Sequence, residues 1–205
     1  MKASIAILFA SRDSIYKTIP GLDVYDERRD ARRFKARLPV VAHPPCRLWS
    51  QLRHMSTAPV AERQLAIFAL LKVQQNGGVL EHPASSCLWP FLGLPEPSES
   101  PDYWGGWTMA VPQFWFGHRA NKSTRLYIVG VRPANVPIFD LRLGEPEFIC
   151  CGSRSKRSEI SKHERSATPR KFADFLLAIA GRVHRPPQNT LKSDGREGPG
   201  TKKTF

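Results

Sequence analysis

Pro39 to Ser50 read PVVAHPPCRLWS, and the reading of this stretch decides the fold. Val40 and Val41 are β-branched and read as a buried strand. Pro44 and Pro45 cannot continue it, because neither can donate to a ladder and each fixes its own φ. Cys46 is therefore set just past a strand end on a stiff loop. In an open α/β sheet, ligand sites collect at that position. The same pattern also suits a small apolar side chain beneath a structural turn, where free cysteines often sit. Both readings stay open at this point.

Working outward, Ala61 to Gln75 (AERQLAIFALLKVQQ) has a broad apolar face formed by Leu65, Ile67, Phe68, Leu70, Leu71 and Val73, as expected for a helix packed on a sheet. Asn76-Gly77-Gly78 stops it, and VLE then reads as a strand running into His82-Pro83. Strand, helix and strand make a βαβ unit, so the two strands are parallel and Cys46 and Glu81 emerge at the same edge of the sheet. SIAILF (residues 4–9) and TRLYIVGV (124–131) read as further strands, and LDVYD as a short element ending at Asp26. Thr168 and Pro169 are expected as N-cap and first position of a last helix, with Phe172, Phe175, Leu176 and Ile179 on its apolar face and Gly181 as its stop. The expected architecture is one α/β domain over residues 1–181. Within it, residues 90–107 (PFLGLPEPSESPDYWGGW) read as an irregular loop or lid and 151–167 as a basic loop. Residues 182–205 read as a basic, disordered tail.

A chain of 205 residues, 41% of them hydrophobic, suffices for one domain with a real core. No apolar run reaches the roughly 20 residues that span a bilayer, and MKASIAILFA lacks a small-residue cleavage site. Four cysteines, two of them adjacent, are too few for a disulfide scaffold and suit a reduced, cytoplasmic protein. The formal charge of +13 and pI near 10.1 favour a polyanionic partner, most simply nucleic acid. Arg28, Arg29, Arg32, Arg33, Lys35 and Arg37 are expected on one short helix, where Arg29, Arg32 and Arg33 share a face. Trp104 and Trp107 suit covering a site, stacking on a base or pinning the loop to the body.

A cysteine near an acid and several cations supports three kinds of chemistry. A thiolate can add to C6 of a pyrimidine while a carboxyl group engages N3 and cations stabilise the adduct. Metal binding is a second reading, from His43 with Cys46 and His82 with Cys87, although neither pair has the usual spacing. A cysteine hydrolase using His43, His82 or His118 is a third, with no local signature.

PVVAHPPCRLWS resembles the Pro-Cys motif of DNA cytosine-5 methyltransferases, and VLEHP their Glu-Asn-Val motif. VPQ at 111–113 with RLYIVGVR at 125–132 resembles their Gln-x-Arg-x-Arg motif and its strand, at a longer spacing. ILFA resembles the opening of their first motif, and TPRKFADFLLAIA their closing helix. The resemblance runs in order from about residue 5 to 180 and includes compact phage and prophage members. It implies a reduced Rossmann-like, methyltransferase-type domain with a mostly parallel sheet. It also implies methylation of cytosine C5 in DNA from S-adenosylmethionine, on a flipped or single-stranded base. Cys46 would be the nucleophile and Glu81 the group at N3. Gln113 and Arg125, with Arg119 or Lys122, would fill the remaining catalytic positions. Phe9, Pro44, Asp26 and Asp30 would lie on the cofactor side. FASRDS has no glycine where the family has Phe-x-Gly-x-Gly, and His82 stands where it has Asn. The alternatives are a non-catalytic DNA-binding or anti-restriction protein on this fold, a structural virion protein, or an enzyme acting on another pyrimidine or a free nucleotide.

Overall fold

Alternation along the strands sends side chains to two faces. Ile5, Ile7, Val41, Val79, Leu126 and Ile128 build one buried cluster, while Ala6, Leu8, Val40, Ala42, Leu80 and Tyr127 build another. The computed structural model describes residues 4–140, 142–150 and 156–184. Its strands are β1 (Ile5–Leu8), β2 (Leu22–Tyr25), β3 (Val40–Ala42), β4 (Gly78–Pro83), β5 (Trp107–Pro112) and β6 (Ser123–Val129). They form one sheet in the order β2-β1-β3-β4-β6-β5. The pairs β1–β2, β1–β3 and β3–β4 are parallel, and β6 runs antiparallel to both neighbours. Five strands therefore point one way and β6 returns between two of them.

The helices are α1 (Arg63–Asn76), α2 (Leu88–Phe91), α3 (Lys162–Ser166) and α4 (Arg170–Gly181). The long pair, α1 and α4, covers opposite faces. Ala66, Ala69, Leu70 and Val73 of α1 pack with Leu80 and Tyr127, whereas Phe172, Phe175, Leu176 and Ile179 of α4 pack with Ile7, Val79 and Ile128. The chain is thus a mixed α/β domain with helices on both faces of its sheet. At Gly78, φ is +129°, and a Cβ there would lie 2.0 Å from the Val40 carbonyl oxygen. Only glycine lets the α1–β4 connection enter the sheet so close to β3.

From β1 the chain winds outward to β2 and then crosses back to β3 on the other side of β1. The winding reverses between β1 and β3, which makes the crevice beyond their carboxyl ends a topological switch point. Only 3₁₀ turns, Ile15–Thr18 and Ala31–Arg33, interrupt these two connections.

The basic segment 28–37 holds that three-residue turn and not the helix expected of it. Asp26 Oδ1 accepts from the backbone N–H groups of Arg28 and Arg29, and Asp30 accepts from that of Arg32, so side chains satisfy the donors locally. Arg29 folds back on Asp23 and Tyr25, and Arg32 on Asp30. Pro169, with extended ψ of 144°, is the N-cap of α4 and makes no side-chain cap bond, so the boundary falls one residue beyond the expected Thr168. Strand β5 begins at Trp107, the last residue of the stretch read as a loop, and α3 lies inside the stretch read as a basic loop. Cys151, Gly152 and residues 185–205 of the expected tail lie outside the described residues.

Phe172 is fully buried and packs 5.0 Å from the Phe116 ring. Phe172→Ala is expected to destabilise the fold by about 3–5 kcal/mol, measured as a lower urea midpoint with an unchanged slope.

Candidate active site

The carboxyl ends of β3 and β4 lie side by side because Ala42 pairs with Leu80. Parallel strands in this register carry His43, one residue past β3, next to Glu81. His43 Nδ1 lies 3.0 Å from Glu81 Oε2, and His43 Nε2 lies 3.0 Å from the Tyr16 hydroxyl. Glu81 Oε1 accepts from Gln113 Nε2 at 3.1 Å, and the same Gln113 nitrogen donates to Thr124 Oγ1 at 3.0 Å. Five side chains from five segments thus form one polar chain above the α4-side core. Tyr16, Gln113 and Thr124 are buried. Gln113 Oε1 has no partner among the described residues.

The chemistry of this chain orders its protons. Burial pushes the Glu81 carboxyl up, but the hydrogen bond from His43 and the charge of His43, then those of Lys122 and His82, outweigh it and hold the group at about 2. Burial, then Glu81 and Asp174, push the Tyr16 hydroxyl well above its ordinary range. Glu81 is therefore a carboxylate and accepts from His43 Nδ1–H. Tyr16 keeps its proton, and its hydroxyl lies within hydrogen-bond distance of Nε2. His43 is thereby held at both ring nitrogens, which fixes the orientation of its ring.

Cys46 follows on the Pro44-Pro45 turn. Its side chain is exposed, and the backbone is anchored where Trp49 N–H donates to the Cys46 carbonyl at 2.9 Å. Desolvation by the crowded turn pushes its thiol up. The charge of Glu81 adds to that, and the charge of Lys122 opposes it. Cys46, Glu81 and Lys122 therefore share one electrostatic neighbourhood. Arg47, next in sequence, is engaged by Glu62.

The other expected residues lie in different places. Gln113 belongs to the polar chain. Lys122 Nζ donates to the Ala167 carbonyl at 3.3 Å and acts on both Glu81 and Cys46. Arg125 pairs with Glu96 at 2.7 Å and approaches the Trp89 ring, which belongs to the α1-side cluster. Its β6 neighbour Leu126 belongs to the α4-side cluster, and it is Leu126 that pairs with Glu81 in register. Arg125 therefore sits on the sheet face opposite Glu81. Arg119 pairs with Glu164 and Glu147 and covers Phe148. His118 is bound to the backbone of Ala120 and Glu164.

On the cofactor side, Phe9 and Pro44 border the switch-point crevice. Phe9 has φ of +63°, a left-handed conformation rare for a non-glycine residue, and its ring packs edge-on to Phe68 at 6.3 Å. Asp26, just past β2, is nine-tenths buried and receives Lys17 Nζ at 2.5 Å. The Lys17 hydrogen bond, then the backbone donors, hold its carboxyl at about 2. Asp30 is spent on capping its own turn. Among the described residues no group of three or more His, Cys, Asp or Glu is arranged to hold a metal ion. His82 is buried on the α1 side, and its pKa is lowered by burial to about 4.

Sequence reasoning missed Tyr16 and Thr124 as members of the site. Tyr16 lies in a polar break with no periodic signal, and Thr124 reads only as a strand residue. Their roles depend on contacts 27 and 11 residues away along the chain.

Because its folded pKa is depressed, the stabilisation Glu81 provides is full above the ordinary glutamate value of 4.5 and is lost as pH falls through about 2. Thermal melts of Glu81→Gln and wild type are expected to differ most near neutrality, with the gap closing between about pH 5 and pH 2. The same variant removes a charge that holds the Cys46 thiol up. Alkylation of Cys46 at pH 8, followed by peptide mass spectrometry, is expected to speed up roughly two- to fivefold.

Compared with models of known families, with curated proteins and with solved structures, the chain matches none of them.

Proposed function

We propose that this chain modifies a pyrimidine base of DNA through Cys46, by methyl transfer to cytosine C5. The observation that carries the reading is that His43, three residues before the exposed Cys46, lies 3.0 Å from Glu81 at the carboxyl ends of β3 and β4, beside a topological switch point. The ordered motif resemblance and the charge of +13 point the same way. No helix among the described residues is long and apolar enough to cross a membrane.

S-Adenosylmethionine is the methyl donor that the resemblance implies. Asp26, a carboxylate at the end of β2 that now accepts from three donors, would hold it by exchanging one of them for a hydroxyl of the cofactor. Phe9 and Pro44 would contribute apolar contacts beside it. Bound there, the cofactor supplies an electrophilic methyl group.

In this scheme the Cys46 thiol gives its proton to solvent, Sγ bonds to cytosine C6 as N3 takes a proton from solvent, and the C5=C6 electron pair makes C5 nucleophilic. That pair would take up the methyl group as its bond to the donor's sulfur breaks, the electrons of that bond staying on the sulfur. The C5 proton then leaves to solvent, the pair returns to the ring, N3 gives its proton back to solvent, and the C6–sulfur bond breaks to restore the thiolate. Glu81 enters as a carboxylate, so it accepts from the exocyclic amine and favours a proton on N3. It does not deliver that proton itself. His43 and Gln113 hold it in place. Lys122 takes the cation role, leaving Arg125 and Arg119 to their ion pairs.

A second reading, DNA binding without catalysis, is favoured by one observation: both Glu81 oxygens are already occupied by protein donors. Incubation with radiolabelled S-adenosylmethionine and DNA separates the two. Wild type is expected to label cytosine-containing DNA and Cys46→Ser is not. Absence of Cys46-dependent label on single- and double-stranded DNA, with salt-sensitive binding retained in Cys46→Ser, would establish the second reading.

A further inference from the structure

At the pole of the sheet opposite Cys46, a broad groove runs past the amino end of β4 and the carboxyl end of β6. Its lining includes Lys35, Arg37, Lys72, Arg132, Tyr103 and Trp104, and none of the described residues lining it is acidic. Lys35 and Arg132 are exposed and form no ion pair with a described residue. Among the described residues the ammonium of Lys72 meets only the neutral Gln75 side chain and the face of Phe68, so none of them compensates its charge.

The two aromatics are presented, not buried. Tyr103 is 94% exposed and Trp104 51% exposed. The loop carrying them is fixed by Asp102, whose Oδ1 accepts from the N–H groups of Trp104 and Gly106 at 2.9 and 2.8 Å. Its Oδ2 accepts from the Tyr127 hydroxyl at 2.7 Å. Gly106 is required there, since a Cβ would fall 2.1 Å from that hydroxyl. The acid of this loop is thus turned inward to hold two rings outward at a basic edge. Such an arrangement spends stability on exposing apolar area, which a purely structural loop has no reason to do.

We propose that this groove binds single-stranded nucleic acid, with phosphates on Lys35, Lys72 and Arg132 and a base stacked on Trp104. Cations along a groove with interleaved aromatics are the physical requirement for that ligand: the charges track the backbone, and every base has a face to stack. Charge decides against the chain's own end as occupant. Residues 185–205 continue from His184 at the groove rim and carry five Lys or Arg against two Asp or Glu. A basic segment is repelled by a basic groove, and both attract a polyanion. The proposal shares the nucleic-acid partner of the Cys46 reading but needs none of its chemistry.

Fluorescence anisotropy with a labelled mixed-sequence 12-mer, single-stranded and as a duplex, tests it on the full chain across a salt series. Lys35→Gln with Arg132→Gln is expected to lower the slope of log affinity against log salt by about 1.4 for the single strand, since each lost cation removes about 0.7. Trp104→Ala is expected to weaken single-strand binding roughly fivefold or more. Melting temperatures of these surface variants are expected to match wild type. Unchanged affinity and slope in both groove variants, tighter binding of duplex than single strand, or no binding by wild type would each overturn the proposal. Methyl transfer is read separately. Groove binding without Cys46-dependent label sinks only the chemistry, and label with unaffected groove variants sinks only the groove.

Discussion

The hydrogen bond between His43 Nδ1 and Glu81 Oε2 crosses the seam between β3 and β4, and the rest of the site depends on it. It forms only if the two strands are parallel and in register, which in turn requires Gly78 to enter against the Val40 backbone. Once it forms, it removes the penalty of an unpaired charge near the core. It also leaves the other oxygen for Gln113 and turns Nε2 toward Tyr16. A single polar contact therefore locks together the end of β3, the end of β4, the turn after β1 and the β5–β6 connection.

Three acids in different parts of the chain are committed to internal donors. Glu81 is held by two donors, Asp26 by three, and Asp102 by three. In a chain with 31 Lys and Arg against 18 Asp and Glu, engaging the carboxylates internally leaves the outer surface more basic than composition alone implies. Fold and electrostatics are thereby coupled. The acids organise turns and the site, and the unmatched cations face outward.

Much of the framework was legible in the sequence because it depends on local patterns. The βαβ unit around α1 announces itself through one apolar helical face, a glycine stop and two β-branched runs, and it places Cys46 and Glu81 at one edge. What failed depended on competition or distance. The arginine-rich segment 28–37 has helical spacing, but Asp26 and Asp30 satisfy its N–H groups more cheaply in turns. Arg125 matches a motif by type, yet a strand alternates its faces, and its parity puts it opposite Glu81. Tyr16 could not be read at all, because nothing within ten residues distinguishes it from any aromatic after a strand. Only the folded path brings it to His43.

Strand β6 begins beside Lys122 and Gln113 and ends at Val129, where Gly130 and Arg132 continue into the groove. Its seven residues span about 23 Å, nearly the height of the sheet. Thr124 faces the polar chain while Tyr127 faces Asp102, so each end relies on the same alternation. Losing or gaining one residue between them would turn one set of side chains to the wrong face relative to the other. The two poles can drift independently in their loops, but length changes in β6 are forbidden to both. Among descendants of this chain, insertions should therefore accumulate on either side of residues 123–129 and spare the strand itself.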